Sequence, residues 1–237
     1  MFAGLVKSLR NLDEERLLFV IRLLIVVLGT AAFLQLGHEV TIGATQHFDE
    51  QIVRALRQPD HPAIPRGPEW VQDVARDVTA LGGYAVLIFL VAIVAIFLRL
   101  DGKKGAVRFL LAAALGGLLL STGLKALFTR PRPSVVPHLS AAYSTSFPSG
   151  HSMMSAIIYL TLGTLLSRLE LRHPRLRLYF LMVALLLTFA IGCSRVYLGV
   201  HYPTDVLAGW TAGLVWATLC SLVAQRLQRG GALETEL

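Results

Sequence analysis

Ser194 to Asp205 reads SRVYLGVHYPTD and joins two apolar runs of the chain. Arg195, His201 and Asp205 thus bring a cation, an imidazole and a carboxylate to the edge of hydrocarbon, where ionisable groups are costly and mark function. Pro203 suits the first turn of the helix that follows. It places Asp205 near that helix's N-terminus, where a carboxylate is favoured. His201 lies four residues earlier and just outside the helix. At this spacing Asp205 can accept from one ring nitrogen and leave the other free to attack. A structural His–Asp capping pair is the plainer alternative.

Working outward, this stretch belongs to a chain of 237 residues that is 54% hydrophobic and 16% charged, with a mean hydropathy of +0.61. That is too apolar for a water-soluble domain of this length and points to the membrane class. The formal net charge of +7 does not indicate nucleic acid. Its Lys and Arg residues cluster beside apolar runs, not in one patch with interleaved aromatics. Cys193 and Cys220 fall inside apolar runs without metal-ligand spacing and read as two buried free thiols.

Six runs, at 17–36, 81–98, 106–128, 151–167, 176–194 and 204–224, approach the roughly 20 residues that cross a bilayer. The expected fold is all-α: a polytopic membrane protein with six transmembrane helices in one domain, 1–237. The first run reads as an uncleaved span, since its leading flank is acidic as well as basic and no clear cleavage site follows. Arg22 inside it can snorkel to the headgroups. The loop 37–80 is polar and holds Pro59, Pro62, Pro65 and Pro68. Within it Phe48, Ile52, Val53 and Leu56 share one helical face, and Trp70, Val71, Val74, Val78 and Leu81 share another. Two short amphipathic helices on the membrane surface are predicted, separated by the helix-breaking PDHPAIPRGP. An ordinary extramembrane loop with helical turns is the alternative. The polar tail, about 228–237, is expected to be disordered.

Basic residues orient the spans. Lys7, Arg10 and Arg16 precede the first, and Arg99, Lys103, Lys104 and Arg108 surround the second-to-third turn. Arg168, Arg172, Arg175 and Arg177 surround the fourth-to-fifth turn, and Arg226 and Arg229 follow the sixth. All lie on one side of a six-span chain, which makes that side and both termini cytoplasmic. The 37–80 segment, the 128–150 loop and the 195–203 turn then share the outer face.

That face holds two more polar clusters. Lys125 ends the third span, and Arg132 follows in KALFTRPRP between Pro131 and Pro133, which stop the helix and hold Arg132 extended. Two fixed cations can grip an anion with several oxygens, Arg by its fork and Lys as a point charge. A snorkelling lysine beside a basic loop is the alternative. FPSGHSMMS, 147–155, leads into the fourth span. A helix start offers free backbone N–H groups, Gly150 permits close approach, Ser149 adds a hydroxyl, and His151 sits in the first turn. A routine N-cap with an interfacial histidine would share this pattern. Together, three cations, a helix N-terminus and two histidines describe a site for a phosphoryl group. One histidine would attack phosphorus and the other protonate the departing oxygen. Asp205 is the only acid in these clusters, so no two-metal site is expected and the chemistry should need neither metal nor other cofactor.

Three motifs stand in order: K-x6-R-P from Lys125 to Pro133, P-S-G-H from Pro148 to His151, and S-R-x5-H-x3-D from Ser194 to Asp205. Together they resemble the signature of the type 2 phosphatidic acid phosphatase (PAP2) superfamily, which also includes vanadium haloperoxidases. The motifs cover 125–205, and the six spans extend the resemblance over most of the chain. It implies a phosphohistidine on His201, with Asp205 orienting and charging the ring. It implies His151 as general acid and then as activator of water, with Lys125, Arg132, Ser149, Gly150 and Arg195 binding phosphate oxygens. The haloperoxidases are soluble, so this chain resembles instead the bacterial six-span lipid phosphatases of the inner membrane, with an outward-facing, periplasmic site. The substrates of that group include undecaprenyl pyrophosphate, phosphatidylglycerophosphate, phosphatidic acid and the phosphates of lipid A. The expected partners are thus a lipid phosphate and membrane lipids, with the 37–80 helices bordering the lipid entrance.

Two other readings share some of these features. A phosphotransferase would pass the phosphate from His201 to an acceptor lipid such as lipid A, and the motifs do not separate it from a hydrolase. A transporter or channel for anions fits less well. The two halves show no obvious repeat, and the polar residues sit at one face, not at the midplane.

Overall fold

A backbone in hydrocarbon must satisfy its own polar groups, and helices do so within one segment. In the computed structural model, which describes residues 2–142, 144–169 and 173–229, eight helices account for nearly all the structure. They are α1 (Phe2–Thr41), α2 (Gln46–Ala55), α3 (Glu69–Ala80), α4 (Tyr84–Leu100), α5 (Lys104–Leu127), α6 (Gly150–Leu169), α7 (Pro174–Tyr197) and α8 (Pro203–Arg229). Two short strands, β1 (Arg57–Gln58) and β2 (His61–Pro65), pair antiparallel between α2 and α3, with Gln58 opposite His61 and Arg57 opposite Pro65. The Pro-rich segment thus breaks the helix as expected and also folds back as a hairpin, which helical periodicity alone does not reveal.

The fold is the all-helical membrane architecture expected. Four described helices are long and apolar enough to cross a bilayer: Arg16–Thr41, Lys104–Leu127, Pro174–Tyr197 and Pro203–Arg226. The run 81–98 becomes α4, which reaches spanning length only together with α3, across a bend of 48°. The run 151–167 becomes α6. α6 packs against α5, α7 and α8, so it can bury Ser152, Ser155 and Thr161 instead of showing hydrocarbon to lipid.

Glycine sets how closely α6 and α8 approach. A Cβ on Gly209 would fall 2.7 Å from the Ser149 carbonyl, and one on Gly213 would fall 2.7 Å from the Met153 carbonyl. Only hydrogen fits at these two positions, so the helices meet backbone to backbone. Around them Met153, Ile157, Ile158, Leu110, Leu87 and Ala208 form the main core. α1 leans on α8, and its outer end meets a cluster of Phe33, Phe128 and Phe147. Lower down, Arg22 donates to Gln225 Oε1 at 3.1 Å, so this cation is held by α8 where snorkelling was expected.

The two amphipathic helices exist, with their buried faces turned from the expected ones. On α2, Phe48 is 52% exposed while Asp49 is fully buried beside Val53, and Ile52 and Leu56 pack with it. On α3, Ala75 and Thr79 are buried while Trp70 and Val74 stay exposed. Both faces turn to protein: α2 packs on α8 and α3 on α7. The thiols are free as expected, but Cys193 is exposed and Cys220 half-buried. A thiol on a spanning helix can face lipid without the cost it would meet in water. Most of the polar tail lies outside the described residues.

Candidate active site

Four helix ends converge on the three motifs: the C-termini of α5 and α7 and the N-termini of α6 and α8. α7 stops in a Schellman turn. Gly199, at φ +72°, donates to the Val196 carbonyl at 2.9 Å, and Val200 donates to the Arg195 carbonyl at 3.2 Å. A side chain at Gly199 would be strained by its φ and would also meet the Pro137 carbonyl and Arg57. The chain then turns back, and Tyr202 caps α8. Asp205, in the first turn, accepts the Tyr202 N–H at 2.9 Å, the reach-back half of a capping box. A local turn-and-cap grammar therefore buries His201 and Asp205 side by side, 1% and 0% exposed.

The hydrogen bonds determine the tautomer of His201. Arg132 Nη1 lies 3.1 Å from His201 Nε2, and a guanidinium can only donate, so Nε2 carries the lone pair. The ring proton is then on Nδ1, facing Asp205 Oδ2 at 3.4 Å. Burial pushes the His201 pKa down to about 3, against the opposing pull of Asp205, with Arg132 and Arg195 adding to the fall. The ring is thus neutral with its free lone pair directed at cations.

The other expected residues gather around it. Arg132 is fixed by the Ser144 carbonyl at 2.8 Å and the Val200 carbonyl at 2.6 Å. Lys125 Nζ donates to the Thr145 carbonyl at 2.8 Å, and Thr145 Oγ1 returns a bond to the Lys125 carbonyl at 3.1 Å. Arg195 is 3% exposed. Its Nη1 donates to Thr79 Oγ1 at 3.0 Å, and its Nε is buried without a partner among the described residues. Ser149 caps α6, accepting the Ser152 N–H at 3.4 Å and the Ser152 hydroxyl at 2.9 Å, which leaves its own proton to donate. Gly150 packs on Lys125 Cε and the Tyr84 hydroxyl, each 3.3 Å from where a Cβ would be. His151 stands half-buried over the Gly82–Gly83 turn, within electrostatic reach of Arg195, His201, Arg132 and Lys125.

Sequence reasoning missed a second layer behind Asp205. Arg130 Nη1 donates to Asp205 Oδ1 and to Thr204 Oγ1, both at 2.8 Å. Its Nη2 donates to Asp49 Oδ2 at 2.7 Å, and its guanidinium lies 4.2 Å over the Tyr202 ring. Asp49 in turn accepts the Thr204 N–H at 3.1 Å and the Thr204 hydroxyl at 2.6 Å. Ser146 donates to Asp205 Oδ2. Asp205 is therefore not the only acid here, because α2 delivers Asp49 from far upstream. One signal was available: Asp49 lies three, four and seven residues before Ile52, Val53 and Leu56, a carboxylate on an apolar stripe. Among the described residues no three His, Cys, Asp or Glu side chains are grouped as metal ligands would be.

Comparison with known proteins shows the family. The PAP2 superfamily model matches residues 105–229, and the chain belongs to that superfamily. It is 31% identical over 201 residues to phosphatidylglycerophosphatase B of Bacillus subtilis, covering 83% of this chain and 93% of that protein. It is 31% identical over 157 residues to a putative undecaprenyl-diphosphatase of Escherichia coli, covering 60% of this chain and 74% of that one. The crystal structure of the Bacillus subtilis transmembrane PAP2-type phosphatidylglycerolphosphate phosphatase superposes with a TM-score of 0.77 at 29% identity, covering 87% of this chain and 98% of that one.

Proposed function

We propose that this protein is a multi-pass membrane phosphatase that hydrolyses a lipid monophosphate or pyrophosphate through a phosphohistidine on His201. The observation that carries the reading is the Arg132–His201 contact, which leaves the Nε2 lone pair facing the guanidinium that would hold a phosphate oxygen. Lys125, Arg132, Arg195 and the α6 N-terminus would neutralise the equatorial oxygens. Nε2 attacks phosphorus, the bond to the leaving oxygen breaks, and His151 supplies that oxygen's proton. His151 then takes a proton from water, which attacks phosphorus, frees inorganic phosphate and restores Nε2.

Two features support a lipid substrate. A cavity of about 240 Å³ between α4, α5 and α6 is walled by Leu87, Val91, Leu115, Leu118, Met154 and other apolar side chains, and Tyr84 at its rim also borders Gly150. The related proteins are named for phosphatidylglycerophosphate and undecaprenyl diphosphate, one a monoester and one a pyrophosphate. The orientation proposed places the site on the periplasmic face of the bacterial inner membrane. α5 and α7, of 24 residues each, run about 36 Å from the site to an end that carries Lys103, Lys104 and Arg175.

The test is phosphate release from a panel of both lipid types in detergent with EDTA present. Activity that survives the chelator and vanishes in His201→Ala is expected. Robust turnover by His201→Ala would remove the nucleophile from this scheme, and label passing to an added lipid and not to water would make the protein a phosphotransferase.

A further inference from the structure

Asp49, Arg130 and Asp205 form a buried chain of alternating charge behind His201. The two ion pairs measure 2.7 and 2.8 Å, and the Arg130 side chain is only 7% exposed. Both carboxylates are fully buried. Capping explains part of this, since Asp49 satisfies the free Thr204 N–H of the α8 first turn. It does not explain why a cation is set against the one carboxylate that faces the His201 ring.

The charges count as follows when Nε2 bonds to phosphorus. The ring keeps its Nδ1 proton and gains a bond at Nε2, so it becomes positive. Asp205 with Arg130 alone sums to zero, and the ring would face no net anion. Adding Asp49 brings the trio to a single negative charge. In a buried, low-dielectric setting that difference acts strongly on the imidazolium.

We infer that Asp49 is a positioning residue of the reaction, which offsets the Arg130 charge so that the buried trio presents a net negative charge to the His201 ring. The role reaches the reacting atoms only through Arg130 and Asp205. It rests on His201 as the nucleophile.

The experiment uses the full-length protein in detergent with labelled phosphatidic acid and follows phosphoprotein formation in a single turnover, alongside steady-state KM. Asp49→Asn is expected to slow phosphorylation by about tenfold to a hundredfold while KM stays within about threefold. Adding Arg130→Gln to Asp49→Asn removes the unopposed cation and should restore the rate by about fivefold or more over the single variant. A purely structural cap predicts the reverse, with the double variant worse than the single; that result would overturn the inference, as would a wild-type rate in Asp49→Asn. Should Asp49→Asn not fold, the double variant decides alone. A phosphorylation rate within about tenfold of wild type supports the role, and a greater loss overturns it. His201→Ala separates the two levels. If it still becomes labelled, the nucleophile assignment fails and this role with it. If it is dead while Asp49→Asn is unimpaired, only the role of Asp49 fails.

Discussion

The backbone N–H of Ser149 donates to the carbonyl of Asp205 at 2.9 Å, so the start of α6 is tied directly to the first turn of α8. Gly209, one turn further along α8, permits that approach, with Ser149, Ser152 and Met153 filling the space a side chain would need. Gly209→Ala should therefore part the P-S-G-H turn from His201. The expected result is a loss of about 1–3 kcal/mol in stability, read as a lower Tm in detergent, with phosphate release falling about tenfold or more at temperatures where the protein stays folded.

Arg132 holds two carbonyls as well as His201 Nε2, a forked geometry that a lysine cannot reproduce. Arg132→Lys is expected to lower kcat/KM by about a hundredfold although the charge is kept. Steady-state kinetics on a lipid monophosphate checks this, and near-normal kcat/KM would show that charge alone suffices.

His201 makes stability depend on pH in a defined direction. Its folded pKa, about 3, lies below its ordinary value of 6.5. Between the two, an unfolded chain binds a proton that the folded one refuses. The contribution is intact above about pH 6.5 and is lost as pH falls toward 3. Tm in detergent should decline more steeply on acidification for the wild-type protein than for His201→Gln. Parallel slopes would mean the ring does not titrate as burial dictates.

The apolar cavity between α4, α5 and α6 gives a substrate-dependent prediction. Ala114 lines it, and Ala114→Phe would fill it without touching the motifs. KM for a long-chain lipid phosphate should rise by about tenfold, while turnover of a short-chain phosphate stays unchanged. Equal effects on both substrates would remove the cavity from the chain-binding role.

Much of this protein was legible before folding because its signals are local. Apolar runs of bilayer length marked the helices, and Pro203 marked the start of α8. Spacing placed His201 and Asp205 on adjacent turns. The bend of 48° between α3 and α4 was not legible, and neither was how fully the neighbours of α6 cover it. Nor was the face of α2, where period 3.6 allowed a one-residue rotation and only the pocket at Arg130 selected Asp49 over Phe48 for burial.

The sequence by itself determined which groups would be costly in hydrocarbon, and hence which residues had to find partners. The tertiary structure alone decided those partners. Arg130 and Asp49 lie far apart along the chain, and their pairing with Asp205 depends on α2 folding back against α8. Burial then makes the choice binding: a carboxylate or guanidinium out of water must be paired, and only the folded arrangement brings the opposite charge within reach.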